Sequence, residues 1–169
     1  MVQVMTVCTG NICRSIMAEV VLRHRLAQAG LNDQVVVCSR GVSDEEAGNP
    51  IDRRARAALV ARGYTVDGTH QARQVTAAEL DATDLVLAMT TSHARAVHRL
   101  ARAASPTPVV AMYRGFDPAA PAVDGRGEDH LLDIADPWYG GPEDFEVCLD
   151  QIEAGADGVV AQVRQMLAR

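Results

Sequence analysis

Near the start of the chain two residue types that do chemistry together stand six positions apart. Cys8 closes an apolar run, and Arg14 and Ser15 follow it across Thr9-Gly10-Asn11-Ile12-Cys13. A thiol attacks as its thiolate, and a helix N-terminus or a guanidinium beside it favours that form. Gly10 and Asn11 tolerate the left-handed backbone that turns successive N–H groups inward as an anion-binding nest. A helix beginning behind the segment adds unpaired N–H groups and a positive dipole end. Arg14 can clasp two anionic oxygens with its planar fork, and Ser15 can donate its hydroxyl to the sulfur. Thr9 through Ser15 therefore read as a cradle for a tetrahedral oxyanion, with Cys8 placed to attack the atom whose oxygens it holds. A Cys-x5-Arg spacing means little by itself. Its place between a strand and a helix gives it weight.

The flanking elements must supply that place. VQVMTV (2–7) reads as a buried strand, and Ser15 to Ala29 as a helix stopped by Gly30. QVVVCSRGV (34–42) is a second strand, and Asp52 caps a helix over RRARAALVAR whose arginines read as a solvated face. DLVLAM (84–89) is a third strand, after which Ser92 is expected to cap HARAVHRLARAA. TPVVAMY (107–113) is a fourth strand. Asp117 to Pro142 reads as loop interrupted by LLDI, and a helix runs from Glu143 to the end with a break expected near Gly155 and Gly158. Strands alternating with helices imply an α/β fold: a doubly wound sandwich with a central four-stranded parallel sheet and helices on both faces. One domain over 1–169 suits this length.

Composition narrows the partners. A net charge of −6 argues against nucleic acid or an anionic membrane surface. No apolar run approaches a membrane span, and MVQVMTV lacks the features of a signal peptide, so a cytoplasmic location is expected. The four cysteines contain no CxxC pair or zinc-like cluster, so neither a metal nor a cofactor is expected. Cys38 and Cys148 read as small buried apolar residues, and His24, His93, His98 and His130 as surface or helix-cap residues. With no GxxxxGK[ST] in the chain, a Walker-type nucleotide loop is excluded.

VCTGNICRS resembles the signature of the low-molecular-weight protein-tyrosine phosphatases. The likeness extends through SRGV, GNPIDRRA, HQARQ (70–74), DLVLAM and DPWYGG (136–141). By itself Asp136 reads as a turn residue or as an acid; the resemblance implies that it is the general acid and later the base. It likewise implies that Trp138 and Tyr139 wall a pocket for an aromatic ring, and that Thr9 to Arg14 supply phosphate-binding amides. Asn11 would scaffold the loop, bonded to Ser43, with His70 supporting it from behind. Cys13 would form a reversible disulfide with Cys8, although packing alone accounts for it too. The implied reaction is hydrolysis of phosphotyrosine and aryl phosphate monoesters through a cysteinyl phosphate. The partners would be tyrosine-phosphorylated proteins, and the chain a monomer or weak dimer.

Three positions depart from the family pattern. Ile16 stands where a proline usually preorganises the first turn of the helix, so lower activity is expected. Glu45 stands near the usual aromatic wall of the pocket, which should weaken the grip on rings and repel acidic peptides. Thr90 replaces a common aspartate, with a local hydrogen-bonding change and no lost chemistry expected. Two other readings share this loop: a phosphate-binding module without turnover, and a thiol-coupled arsenate reductase. The latter needs two more cysteines closely spaced in mid-chain, and Cys38 and Cys148 do not supply them.

Overall fold

The computed structural model describes residues 1–101 and 107–169. Its strands are β1 (Val2–Cys8), β2 (Val35–Gly41), β3 (Leu85–Ala88) and β4 (Val109–Met112), joined in one parallel sheet of order β2-β1-β3-β4. The helices are α1 (Arg14–Gln28), α2 (Arg53–Ala61), α3 (Ala77–Asp81), α4 (Thr91–Leu100) and α5 (Pro142–Leu167).

Period-two alternation sends side chains into two cores. Val2, Val4 and Cys8 of β1, with Leu85 and Leu87 of β3, pack with α1, α2 and α5. Met5, Val7, Val86 and Ala88 face the other way and pack against Leu80 of α3 and Val97 of α4. The sheet is thus covered on both faces, as the alternation of elements implied. From central β1 the chain moves outward to β2 and then returns to β3 on the other side. The carboxyl end of β1 therefore lies at the point where the winding reverses, where such sheets open a crevice. Cys8 is the last residue of that strand.

Several local expectations need correction. Thr90, not Ser92, caps α4: its extended backbone leaves β3 directly, and its hydroxyl accepts from the His93 N–H. The expected end of that helix, through Ala104, falls in 102–106 and lies outside the described residues. Helix α5 is unbroken. Its glycines answer to packing instead, because a Cβ at Gly158 would stand 2.2 Å from the Phe116 carbonyl oxygen. At Gly155 a Cβ would stand 3.0 Å from the Tyr113 ring. Both neighbours belong to a 3-10 turn, Tyr113–Phe116, anchored by the buried Tyr113 hydroxyl on the Ile152 carbonyl at 2.9 Å. The loop before α5 contains two further short turns, Asp129–Leu132 and Pro137–Tyr139. Cys148 is buried, whereas Cys38 is half-buried.

Two arginines of the RRARAALVAR segment do more than cover a solvated face. Arg62 is half-buried and paired with Glu146, Asp150 and Glu153 of α5. Arg54 pairs with Asp52 at 3.0 Å and lies 4.6 Å over the Phe145 ring. Among the described residues no helix is long and apolar enough to cross a membrane.

Candidate active site

The loop between β1 and α1 turns on one residue. Asn11 is the sole non-glycine residue with positive φ among the described residues, at 61°, and its buried side chain is held on every polar atom. Nδ2 donates to Ser15 Oγ at 3.0 Å and to Ser39 Oγ at 2.9 Å, while Oδ1 accepts from the Arg73 N–H at 3.0 Å. His70 Nε2 reaches the Asn11 carbonyl at 2.8 Å. These contacts hold a conformation that is uncommon for a residue with a side chain. The partner is Ser39, not Ser43: alternation along β2 points Ser39 inward, into the α1 layer. Ser43 lies past the strand end, where its N–H donates to the Thr9 carbonyl at 3.1 Å and its hydroxyl accepts from the Glu45 N–H.

Hydrogen-bond direction can be followed from this amide to the sulfur. Ser15 Oγ accepts from Asn11, so its own hydrogen is free for Cys8 Sγ, 3.0 Å away. On the other branch Ser39 Oγ accepts from Asn11 and donates to Glu19 Oε2 at 2.5 Å. Buried Glu19 is itself paired with Arg23 at 2.6 Å. The hydroxyl of Ser15 is thus placed to donate to the sulfur, and Glu19, paired with Arg23, anchors the far end of the network. Burial is the chief cause of raised pKa values at Cys13, Cys38 and Cys148. Cys13 is raised by burial and then by Asp52, Cys148 is pushed up to about 12, and Cys38 is raised as well.

Arg14 is buried beneath the same loop. Nη1 donates to the Ile134 carbonyl at 3.0 Å, and Nη2 to Asp136 Oδ2 at 2.8 Å. Its buried Nε has no partner among the described residues, so the guanidinium keeps N–H donors beyond the two these bonds use. Asp136 Oδ1 accepts from the Trp138 N–H at 3.2 Å, so the carboxylate caps the Pro137–Tyr139 turn.

These groups open on a cleft of about 160 Å³ lined by Cys8, Arg14, Asp136, Trp138, Tyr139 and Glu46 with their neighbours. Trp138 and Tyr139 meet edge to face at 5.1 Å. Glu45, exposed, and Glu46, half-buried, also line the cleft. Glu46 also lies over Gly10, where an added Cβ would stand 2.8 Å from its Cγ. Ile16 is buried in the core beneath the loop. Among the described residues no three His, Cys, Asp or Glu side chains gather as a metal site.

Four residues of the site escape a reading of the sequence. Ser39 meets Asn11 through pairing of β2 with β1, and Glu19 of α1 meets Ser39 where that helix packs on β2; no short motif encodes either contact. Arg54, expected in solvent, donates to the Trp138 carbonyl at 3.3 Å and the Gly140 carbonyl at 3.1 Å, tying α2 to the aromatic wall. His93, expected at the surface or as a cap, is buried. Its ring lies between Thr9 Oγ1 at 2.9 Å and Thr90 Oγ1 at 3.0 Å. Burial, and then the Arg14 charge, pull its pKa down to about 4, so the ring is neutral.

A thiol and a guanidinium presented by the first crossover loop of an α/β sandwich, with an acid across the cleft, define a class of thiol-dependent phosphatases. Known relatives narrow the class to one family. The family model described as low molecular weight phosphotyrosine protein phosphatase matches residues 3–169. A Streptomyces coelicolor low molecular weight protein-tyrosine-phosphatase is 41% identical over 161 residues, covering 95% of this chain and 93% of that one. Low molecular weight protein-tyrosine phosphatase A of Mycobacterium bovis is 41% identical over 163 residues, covering 96% and 92%. Among solved structures, YfkJ from Bacillus subtilis superposes with a TM-score of 0.83 at 28% identity, covering 98% of this chain and 96% of that one. The chain belongs to the low molecular weight phosphotyrosine protein phosphatase family.

Proposed function

We propose that this chain is a protein-tyrosine phosphatase whose reaction is carried by Cys8, Arg14 and Asp136. The observation that carries the reading is the meeting of all three in one cleft, with a hydroxyl donor on the sulfur. In the first step the Cys8 thiolate attacks phosphorus in line. The P–O bond to the tyrosine oxygen breaks, and Asp136 gives that oxygen its proton. In the second step Asp136 takes a proton from water. The water oxygen displaces sulfur, releasing inorganic phosphate and the thiolate. The inward-facing amides of Thr9 to Arg14, with the Arg14 fork, stabilise the equatorial oxygens in both steps. Trp138 and Tyr139 receive the substrate ring, and His70 supports the loop through the Asn11 carbonyl.

The substrates on this reading are tyrosine-phosphorylated proteins. Four unpaired thiols suit a reducing compartment, and we read the chain as cytoplasmic. Arsenate reductase chemistry finds no support, because Cys38 and Cys148 pack on opposite faces of the sheet and cannot pass a disulfide between them. The decisive experiment is hydrolysis of a chromogenic aryl phosphate by the wild type, Cys8→Ser and Asp136→Ala. The wild type should turn over, Cys8→Ser should be inactive while still binding phosphate, and Asp136→Ala should be impaired. Phosphate binding by the wild type without turnover would mark a binding module instead.

A further inference from the structure

The buried His93 ring bridges two hydroxyls that belong to different parts of the fold. Thr90 Oγ1 already accepts from the His93 backbone N–H at 3.3 Å, so the hydrogen it carries is available to His93 Nδ1 at 3.0 Å. Nε2 is then the protonated nitrogen of the neutral ring, and it donates to Thr9 Oγ1 at 2.9 Å. Thr9 follows Cys8, is exposed, and precedes Gly10. Its carbonyl accepts from the Ser43 N–H at 3.1 Å. The ring therefore ties the first residue of the loop to the rigid junction of β3 and α4.

We propose that His93 is a positioning residue for the phosphate-binding loop, fixing Thr9 so that the first peptide after Cys8 stays aligned with the bound phosphoryl group. This rests on the phosphatase reading of the same cleft. The effect runs through Thr9: His93 touches no reacting atom, and the residue it holds carries the first amide of the nest. A shift of about 1 Å in such a donor costs up to roughly a hundredfold in rate.

The test compares His93→Asn, whose short side chain reaches Thr90 but not Thr9, with His93→Gln, whose amide nitrogen can replace Nε2. On an aryl phosphate, His93→Asn should lower kcat about tenfold with little change in KM, whereas His93→Gln should keep at least about half of it. Thr9→Val should lose as much as His93→Asn, and the double variant should be no worse than either single one. Wild-type kinetics in His93→Asn, or losses that multiply in the double variant, would overturn the proposal. Should the histidine variants fail to fold, Thr9→Val alone decides: wild-type turnover there is equally fatal. If the wild type turns over no phosphomonoester, the phosphatase reading fails separately. Calorimetric affinity for inorganic phosphate then decides, with weaker binding by His93→Asn supporting the proposal and equal binding refuting it.

Discussion

Arg14 and Asp136, 122 residues apart in sequence, are joined at 2.8 Å by Nη2 and Oδ2 across the floor of the cleft. The guanidinium that would hold a phosphate dianion thus holds the carboxylate that would act as acid. On the proposed mechanism an arriving dianion would compete with Asp136 for the guanidinium, and Asp136 would protonate the leaving oxygen. The requirement should depend on the leaving group. Asp136→Ala is expected to cut kcat about 10²- to 10³-fold on phosphotyrosine, and far less on a nitrophenyl ester whose anion departs unaided. Equal losses on both substrates would remove Asp136 as the acid.

The acidic rim sets a preference among peptides. Glu45, exposed, and Glu46, half-buried, line the same cleft as Trp138 and Tyr139. Glu45→Trp should lower KM for an acidic phosphotyrosine peptide about three- to tenfold, by adding a ring surface and removing a like charge. A basic peptide should gain less. Identical KM values for wild type and variant on the acidic peptide would refute the assignment.

Arg54 supports the other wall from behind, through the Trp138 and Gly140 carbonyls and the Phe145 ring. Arg54→Ala should raise KM severalfold with a smaller effect on kcat, because it loosens ring binding more than phosphoryl transfer. Steady-state kinetics on phosphotyrosine check this. A pure kcat loss would place its influence on Asp136 instead.

Gly158→Ala should be strongly destabilising. The new Cβ would stand 2.2 Å from the Phe116 carbonyl oxygen, which is backbone and cannot swing aside. Forcing α5 off the Tyr113–Phe116 turn is expected to cost about 2–3 kcal/mol, a fall in Tm of roughly 4–12 °C for a domain of this size. Thermal unfolding decides it, and an unchanged Tm would mean that the helix moves freely against the turn.

Acid should weaken the fold through His93. Its pKa falls from 6.5 to about 4 on folding, by burial first and the Arg14 charge second. The unfolded chain therefore takes up the proton first. Stability is unaffected by this group above about 6.5, declines as pH drops from there toward 4, and levels off below. The contribution is at most about 3 kcal/mol. Urea unfolding at several pH values, wild type beside His93→Gln, should show a shallower decline in the variant. Parallel curves would contradict it.

How much of this was legible in residue order follows from range. The strand–loop–helix unit at the start was legible because hydrophobic period, Gly-Asn, and the Cys and Arg positions all lie within 15 residues or so. Asp52 as a helix cap was legible for the same reason. The α5 glycines misled because a glycine lowers helix propensity everywhere, yet these two face the Tyr113–Phe116 turn and are required by its closeness. His93 misled because a histidine at a helix start reads as exposed until the loop from β1 is laid beside it.

By itself the chain determined its alternation of strands and helices, the Cys8-to-Arg14 loop between the first strand and helix, and the family to which these belong. Those features depend on neighbours in sequence, so local propensity and spacing encode them. Tertiary structure alone decided that Ser39 rather than Ser43 holds Asn11, that Glu19 anchors that network, that Arg54 braces the aromatic wall, and that His93 reaches Thr9. Each of these is a contact between separate elements, made when parallel strands fix their register and the helices close over them.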